Sequence, residues 1–273
     1  MKILIYLDSE CYHHPPVMMG KIIAKATKAD LSVLVVIPKD GHPENGDAIA
    51  AQAKLDLEGL SPRITIKKGL PDTIIKEVLL KEEYQLVITN SERISPARKL
   101  VDVDPILINQ SKISLLITQN SKPKINKILL CSACKEDDYS LITQGANFAR
   151  DLGSSVTLLH VFPGAVPTMY TGLDQIDETV EELLQTDTPF AQHLRRGVEI
   201  LEENELDSEV KIRRGIPIEE IVRETQIKNY DLVIVGSSKV NEGLIEMLLG
   251  NLTIKIIDKV DLPVLIIGTR DFV

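Results

Sequence analysis

The sequence predicts an α/β protein made of two tandem domains, each a five-stranded parallel, doubly wound sheet flanked by helices. Three observations predict it. The two halves of the chain align with each other at fixed offsets. Short runs, apolar at consecutive positions, recur through both halves, as strands buried on both faces require. Segments of helical periodicity lie between those runs, so strand and helix alternate.

The repeat is read directly from the residues. Lys2-Ile3-Leu4-Ile5 matches Lys127-Ile128-Leu129-Leu130 at an offset of 125. The same offset carries Ser32 through Pro38 onto Thr157 through Pro163. Lys68-Gly69-Leu70-Pro71 then matches Arg214-Gly215-Ile216-Pro217 at 146, and that offset holds from Tyr84–Ile88 to Tyr230–Ile234. The change of offset gives the second copy 21 extra residues between Pro163 and Arg214. A repeat of this size is a duplicated domain rather than a solenoid unit. The seam falls in the polar stretch Gln119-Asn120-Ser121-Lys122-Pro123-Lys124, which sets the domains at 1–122 and 123–273.

The elements are clearest in the second copy. Ile128–Leu130, Val156–Val161, Val210–Ile212, Leu232–Val235 and Val264–Ile267 read as strands. Leu141, Gly145, Phe148 and Leu152 recur at helical spacing and share one helix face. Thr188-Pro189 reads as an N-cap with proline in the first turn, ahead of Leu194, Val198 and Leu201. Ile218, Ile221 and Val222 form the apolar face of a third helix. In a doubly wound sheet, ligands bind at the carboxyl ends of the strands.

Length and composition set the outer bounds. At 273 residues with 44% hydrophobic and 26% charged, the chain buries two ordinary cores. No apolar stretch approaches the ~18 residues of a membrane span. The first strand begins at once and is broken by Asp8, unlike a secretory leader, so the expectation is a cytoplasmic protein with no membrane partner. The net charge of −9, with basic clusters no larger than pairs such as Lys67-Lys68 and Arg195-Arg196, argues against nucleic acid as partner. Three cysteines, Cys11, Cys131 and Cys134, form no disulfide framework. Cys131 and Cys134 make a formal CxxC at a strand end, without the helix start that activates a thiol, and read as ordinary cysteines.

The candidate site lies in the second copy. After Leu232–Val235 comes Gly236-Ser237-Ser238-Lys239, and later Leu249-Gly250-Asn251. A glycine closing a strand lets the backbone turn and approach a ligand, and a glycine opening the next helix presents unpaired N–H groups to an anion. Ser237, Ser238 and Asn251 add hydrogen-bonding groups for phosphate or ribose. The plainer reading is that Gly236 serves a turn and Gly250 close packing.

These residues carry a resemblance. Asp231–Ser237, followed by Leu248–Asn251 and Leu262–Ile267, resembles the C-terminal half of a universal stress protein domain. Gly215-Ile216-Pro217 is similar to that family's G-x-P entry to its third helix. The resemblance covers Lys127–Thr269 and reaches the first half through the repeat, so that together the halves resemble tandem members. It implies a Rossmann-like fold in an adenine-nucleotide-binding superfamily, and a stress-response or signalling role. It also implies domains paired through their last strands, packing as a pseudo-dimer, with a homodimer or an unidentified protein partner beyond that. In one branch it implies bound ATP. An adenine nucleotide with Mg is the cofactor it points to; otherwise none is expected.

The chain departs from the ATP-binding branch, whose pattern is G-x2-G-x9-G-[S/T]. Gly236 matches the first glycine, but Lys239 stands at the second, ten residues separate it from Gly250, and Asn251 closes the pattern. The family's strand-end aspartate, which contacts the nucleoside, is Ala133 in the second copy and Asp8 in the first. The first copy lacks the phosphate end. No glycine occurs there between Gly69 and Gly145, Asn90-Ser91-Glu92-Arg93 replaces the glycine turn, and Pro96 and Pro105 interrupt the next segment.

Other clusters read less sharply. Asp8 after a strand invites a phosphoacceptor reading, but the further acidic residues and the lysine such sites need cannot be placed. Cys11, His13 and His14, with Asp8 and Glu10, are the densest set of metal-ligand types, yet they fit a polar loop before a helix opened by Pro15-Pro16. The insertion near 164–185 carries Asp174, Asp177, Glu178, Glu181 and Glu182 beside an apolar stripe, as a lid, a docking helix or a solvated helix. His160 sits in a strand pattern, and His42 and His193 have no evident partners. No catalytic set is visible. The functional readings are therefore a tandem stress-type regulatory protein binding an adenine nucleotide in its second domain, a nucleotide-independent interaction module, or a weak ATPase.

Overall fold

A computed structural model gives the fold and describes residues 1–8, 14–90, 113–119, 123–133, 138–163, 182, 184–236 and 250–268. The first half runs β1 (Lys2–Asp8), α1 (His14–Thr27), β2 (Asp30–Ile37), α2 (Pro43–Asp56), β3 (Arg63–Lys68), α3 (Pro71–Lys81), β4 (Leu86–Asn90) and β5 (Ser114–Thr118). The second runs β6 (Lys127–Ser132), α4 (Asp138–Leu152), β7 (Ser155–Pro163), α5 (Pro189–Glu203), β8 (Ser208–Gly215), α6 (Pro217–Ile227), β9 (Leu232–Gly236), α7 (Gly250–Lys259) and β10 (Val264–Ile267). Among the described residues strand and helix alternate as the apolar runs predicted, except from β4 to β5 and from β5 to β6.

The two five-stranded parallel sheets are joined edge to edge into one ten-stranded sheet, ordered β3-β2-β1-β4-β5-β10-β9-β6-β7-β8. All ladders are parallel except the central β5–β10 pair. There Leu116 lies opposite Leu265, flanked by Ile117 opposite Val264 and Leu115 opposite Ile266. The pattern is symmetric about Leu116 and Leu265, so the halves meet as two copies related by a two-fold axis do.

The strand registers reproduce the repeat. Ile3 pairs with Leu86 as Ile128 pairs with Leu232, and Val33 pairs with Ile64 as Leu158 pairs with Val210. Both sequence offsets are thus built into the hydrogen-bond ladders, and the insertion falls between β7 and β8. The last strands, β5 and β10, correspond at a third offset, 149, which the residue matches did not reach.

Alternation along each strand sends side chains to two cores, one on each face. Ile3, Ile5, Leu116, Ile128, Leu130 and Leu265 pack under α1, α2, α4 and α5. Leu4, Tyr6, Ile117, Leu129, Val233 and Ile266 pack under α3, α6 and α7. The first helix of each half lies hard on its first strand. A methyl at Gly20 would collide with Ile5 Cδ1, and one at the equivalent Gly145 would stand 3.1 Å from Leu130 Cδ1.

Local signals match their elements. The Thr188 side chain accepts from the Ala191 N–H at 3.1 Å, capping α5 with Pro189 in its first turn. Gly69 and Gly215 have φ of +155° and +147°, which places a glycine before each G-x-P helix start. The outer strands β3 and β8 carry Arg63, Lys67, Lys68 and Lys211, Arg213, Arg214, cations that discourage pairing with another sheet. Most of the insertion lies outside the described residues. At its end, Arg195 donates to the carbonyls of Leu184 and Thr186 at 2.6 and 2.7 Å. Among the described residues, no helix is long and apolar enough to cross a membrane.

Candidate functional site

In each half the strand order turns back beside the first strand. β1 lies between β2 and β4, and β6 lies between β7 and β9. Consecutive crossovers leave such a strand in opposite directions and open a crevice at its carboxyl end. Because β5 and β10 are antiparallel, the two crevices open on opposite edges of the sheet. Asp8, which closes β1 opposite Val36, therefore cannot supply the carboxylate that Ala133 lacks at the end of β6.

In the second half, Ser132 and Gly236 end the neighbouring strands β6 and β9. The sequence reads Gly236 as a turn residue. Its φ is not among the left-handed glycine values, and a methyl there would lie 3.3 Å from Leu141 Cδ2. Close packing of α4 accounts for this glycine. Gly250 opens α7 and Asn251 follows within its first turn. A helix's first N–H groups have no carbonyl of their own helix to bond, which leaves donors for an anion. Ser237 and Ser238 lie outside the described residues, as do Cys11, His13 and Cys134. His14 opens α1 with Nδ1 3.2 Å from Asp56 Oδ2, and no group of three metal-ligand side chains assembles among the described residues. At the β6 end, alanine stands where the family resemblance places a nucleoside-binding carboxylate.

Beside that end is a cluster the sequence did not reveal. Tyr139 and His193 stack at 4.4 Å, and His160, Phe162 and Phe190 meet ring to ring at 4.2–5.0 Å. His160 Nδ1 lies 2.9 Å from the Ser132 carbonyl, and Ser132 Oγ donates to Asp138 at 2.9 Å. Asp138 thereby brings a carboxylate to the end of β6 from α4. His193 Nε2 is buried and has no hydrogen-bond partner among the described residues.

Burial holds both imidazoles below their ordinary pKa of 6.5, against the upward pull of Asp138 on each and of the Ser132 carbonyl on His160. They are neutral in the fold. As pH falls through 6.5 the unfolded chain takes up protons first, so stability present at pH 7 is lost below about pH 6.5. His193→Phe keeps the stack and removes the orphaned nitrogen. It should hold or raise stability at pH 7 by about 1 kcal/mol and flatten the loss between roughly pH 6.5 and 5. Thermal melts of both proteins at pH 7, 6 and 5 check this, and an unchanged pH slope would contradict it.

On the other face lies a charged network. Glu224, fully buried, accepts from Lys211 Nζ at 2.8 Å, from Arg213 Nε at 3.0 Å and from Tyr230 OH at 2.7 Å. Burial pushes its carboxyl up, but those donors outweigh burial and hold it below the ordinary range. The Cys131 thiol is pushed up to about 12 by burial and then by the Glu224 charge, so it stays protonated at neutral pH.

The model of the universal stress protein family matches residues 124–268. Of solved structures, a functionally unknown protein from Pseudomonas aeruginosa PAO1 is 20% identical, covering 99% of this chain and 93% of that one, with a TM-score of 0.68. A universal stress protein from Archaeoglobus fulgidus DSM 4304 is 15% identical, covering 98% and 97%, with a TM-score of 0.64. At such identities the likeness shows the shared fold over the full length. No curated protein matches the chain.

Proposed function

Since the chain belongs to the universal stress protein family, we propose that it is a cytoplasmic regulatory protein of the stress response that binds an adenine nucleotide, with Mg, in its second half. The halves are read as domains 1–122 and 123–273, packed through β5 and β10 as a pseudo-dimer. The observation that supports the nucleotide reading is that α7, the next described element after β9, begins at Gly250, and β9 is the strand beside the crevice. The first-turn N–H groups of α7 suit a phosphate. The first half lacks glycine throughout the corresponding stretch, so one nucleotide per chain is expected.

A ligand that binds only the folded state at 100 times its Kd adds about 2.7 kcal/mol of stability. For a chain of this size that raises the melting temperature by roughly 5–10 °C. ATP with Mg should produce this shift in the wild type and not in Gly250→Asp, whose carboxylate repels phosphate at the helix start. Absence of a shift in the wild type removes the nucleotide reading.

A second reading, a nucleotide-independent interaction module, is favoured by Leu141 packed on Gly236 and by Ala133 at the end of β6. It predicts the same captured partners with and without ATP.

A further inference from the structure

We propose that the first half holds a separate oxyanion site, at a cleft formed by the ends of β2 and β3 and the start of α3, which takes a small molecule through a phosphate group. The cleft encloses about 410 Å³ and is lined by Lys39, Lys67 and Lys68, with Gly69, Thr73 and Glu77. Lys67 pairs with Glu77 only at 3.9 Å, and Lys68 donates to the Gly41 carbonyl at 3.1 Å. In a chain of net charge −9, three lysines and one carboxylate line this cleft among the described residues, a local reversal of sign.

The second half supplies an independent contrast. At the 146 offset, Lys67 and Lys68 correspond to Arg213 and Arg214, while Ile74 and Val78 correspond to Glu220 and Glu224. There Arg213 is neutralised within the protein, by Glu224 and by Glu220 at 3.5 Å. In the first half the same helix positions are apolar: Ile74 is buried and Val78 packs against the core. Arg213 thus finds its counterions on α6, whereas Lys67 meets apolar residues at the equivalent α3 positions and has, among the described residues, only the more distant Glu77, which leaves charge for an external anion. Flexible lysine ammonium groups and the Thr73 hydroxyl suit the compact charge and many acceptors of a phosphate group. The cleft lies beyond β2, on the outer side of the crevice next to β1, and opens in the half that lacks the glycines of the nucleotide cradle.

The test is titration of the ¹⁵N-labelled full chain with sodium pyrophosphate at low ionic strength, followed by amide shifts. Saturable shifts of the Gly69 and Thr73 amides are expected. Lys67→Gln/Lys68→Gln should weaken this binding roughly tenfold, and Glu77→Gln, which frees Lys67, should tighten it about threefold. Lys25→Gln/Lys28→Gln, which removes two exposed charges elsewhere, should leave it unchanged. The proposal is overturned by shifts that do not saturate, by equal weakening in the two lysine pairs, or by an effect of Glu77→Gln in the opposite direction.

Discussion

Replacing Leu116 by aspartate should cost about 4 kcal/mol of stability or prevent folding, whereas Leu116→Val should cost about 1 kcal/mol. Leu116 is fully buried, directly opposite Leu265 on the central antiparallel pair. It packs into the core under α1, α2, α4 and α5, which runs through both halves without a break. A carboxylate set among these apolar side chains must either lose its charge or open the sheet. The two-fold relation adds a check: Leu265→Asp should be equally damaging, because each leucine occupies the other's position. Urea denaturation measures all three. A loss under about 1 kcal/mol for Leu116→Asp would mean that the halves do not meet through this pair.

The double change Lys211→Met/Arg213→Met should be nearly as severe, at about 3–5 kcal/mol at pH 7. It strips both cations from a fully buried carboxylate, leaving Glu224 with Tyr230 alone. Adding Glu224→Leu should restore most of the loss, since removing all three charges leaves nothing uncompensated. The sign of the pH effect comes from the depressed Glu224 carboxyl. Its contribution is present above the ordinary carboxylate range and is lost as pH falls through the folded value, below about pH 4.5. In the double variant this inverts: burial alone raises the carboxyl, so lowering the pH from 7 should recover stability. Chemical denaturation at pH 7 and 5 of the wild type, double and triple variants reads both effects, and a triple variant no better than the double would contradict the network's role.

The fold was legible because duplication wrote each pattern twice. Offsets read from Lys2–Ile5 and Tyr84–Ile88 reappear as ladder registers, and Thr188 caps the helix it was expected to cap. The joining of the two sheets was indicated only through the family resemblance, since nothing in Leu115–Ile117 or Val264–Ile266 names the partner strand. The site was legible in part. The described part of α7 begins at Gly250, while Gly236 answers to Leu141, a neighbour from another helix that strand-end chemistry does not reveal. Tyr139 and His193 lie far apart in the chain and meet because α4 and α5 cover the same face. Glu224 is not singled out by any motif in the sequence. Its signal was present nonetheless, because the repeat aligns it with the core residue Val78 and sets two cations, Lys211 and Arg213, two apart on one face of β8.

The β5–β10 ladder joins partners that share one polypeptide, so their meeting is intramolecular at any dilution. Two separate half-length proteins held by the same strands would part as protein concentration falls, and their melting point would track that concentration. Here the junction does not depend on protein concentration, so the two halves share one sheet even when the protein is scarce.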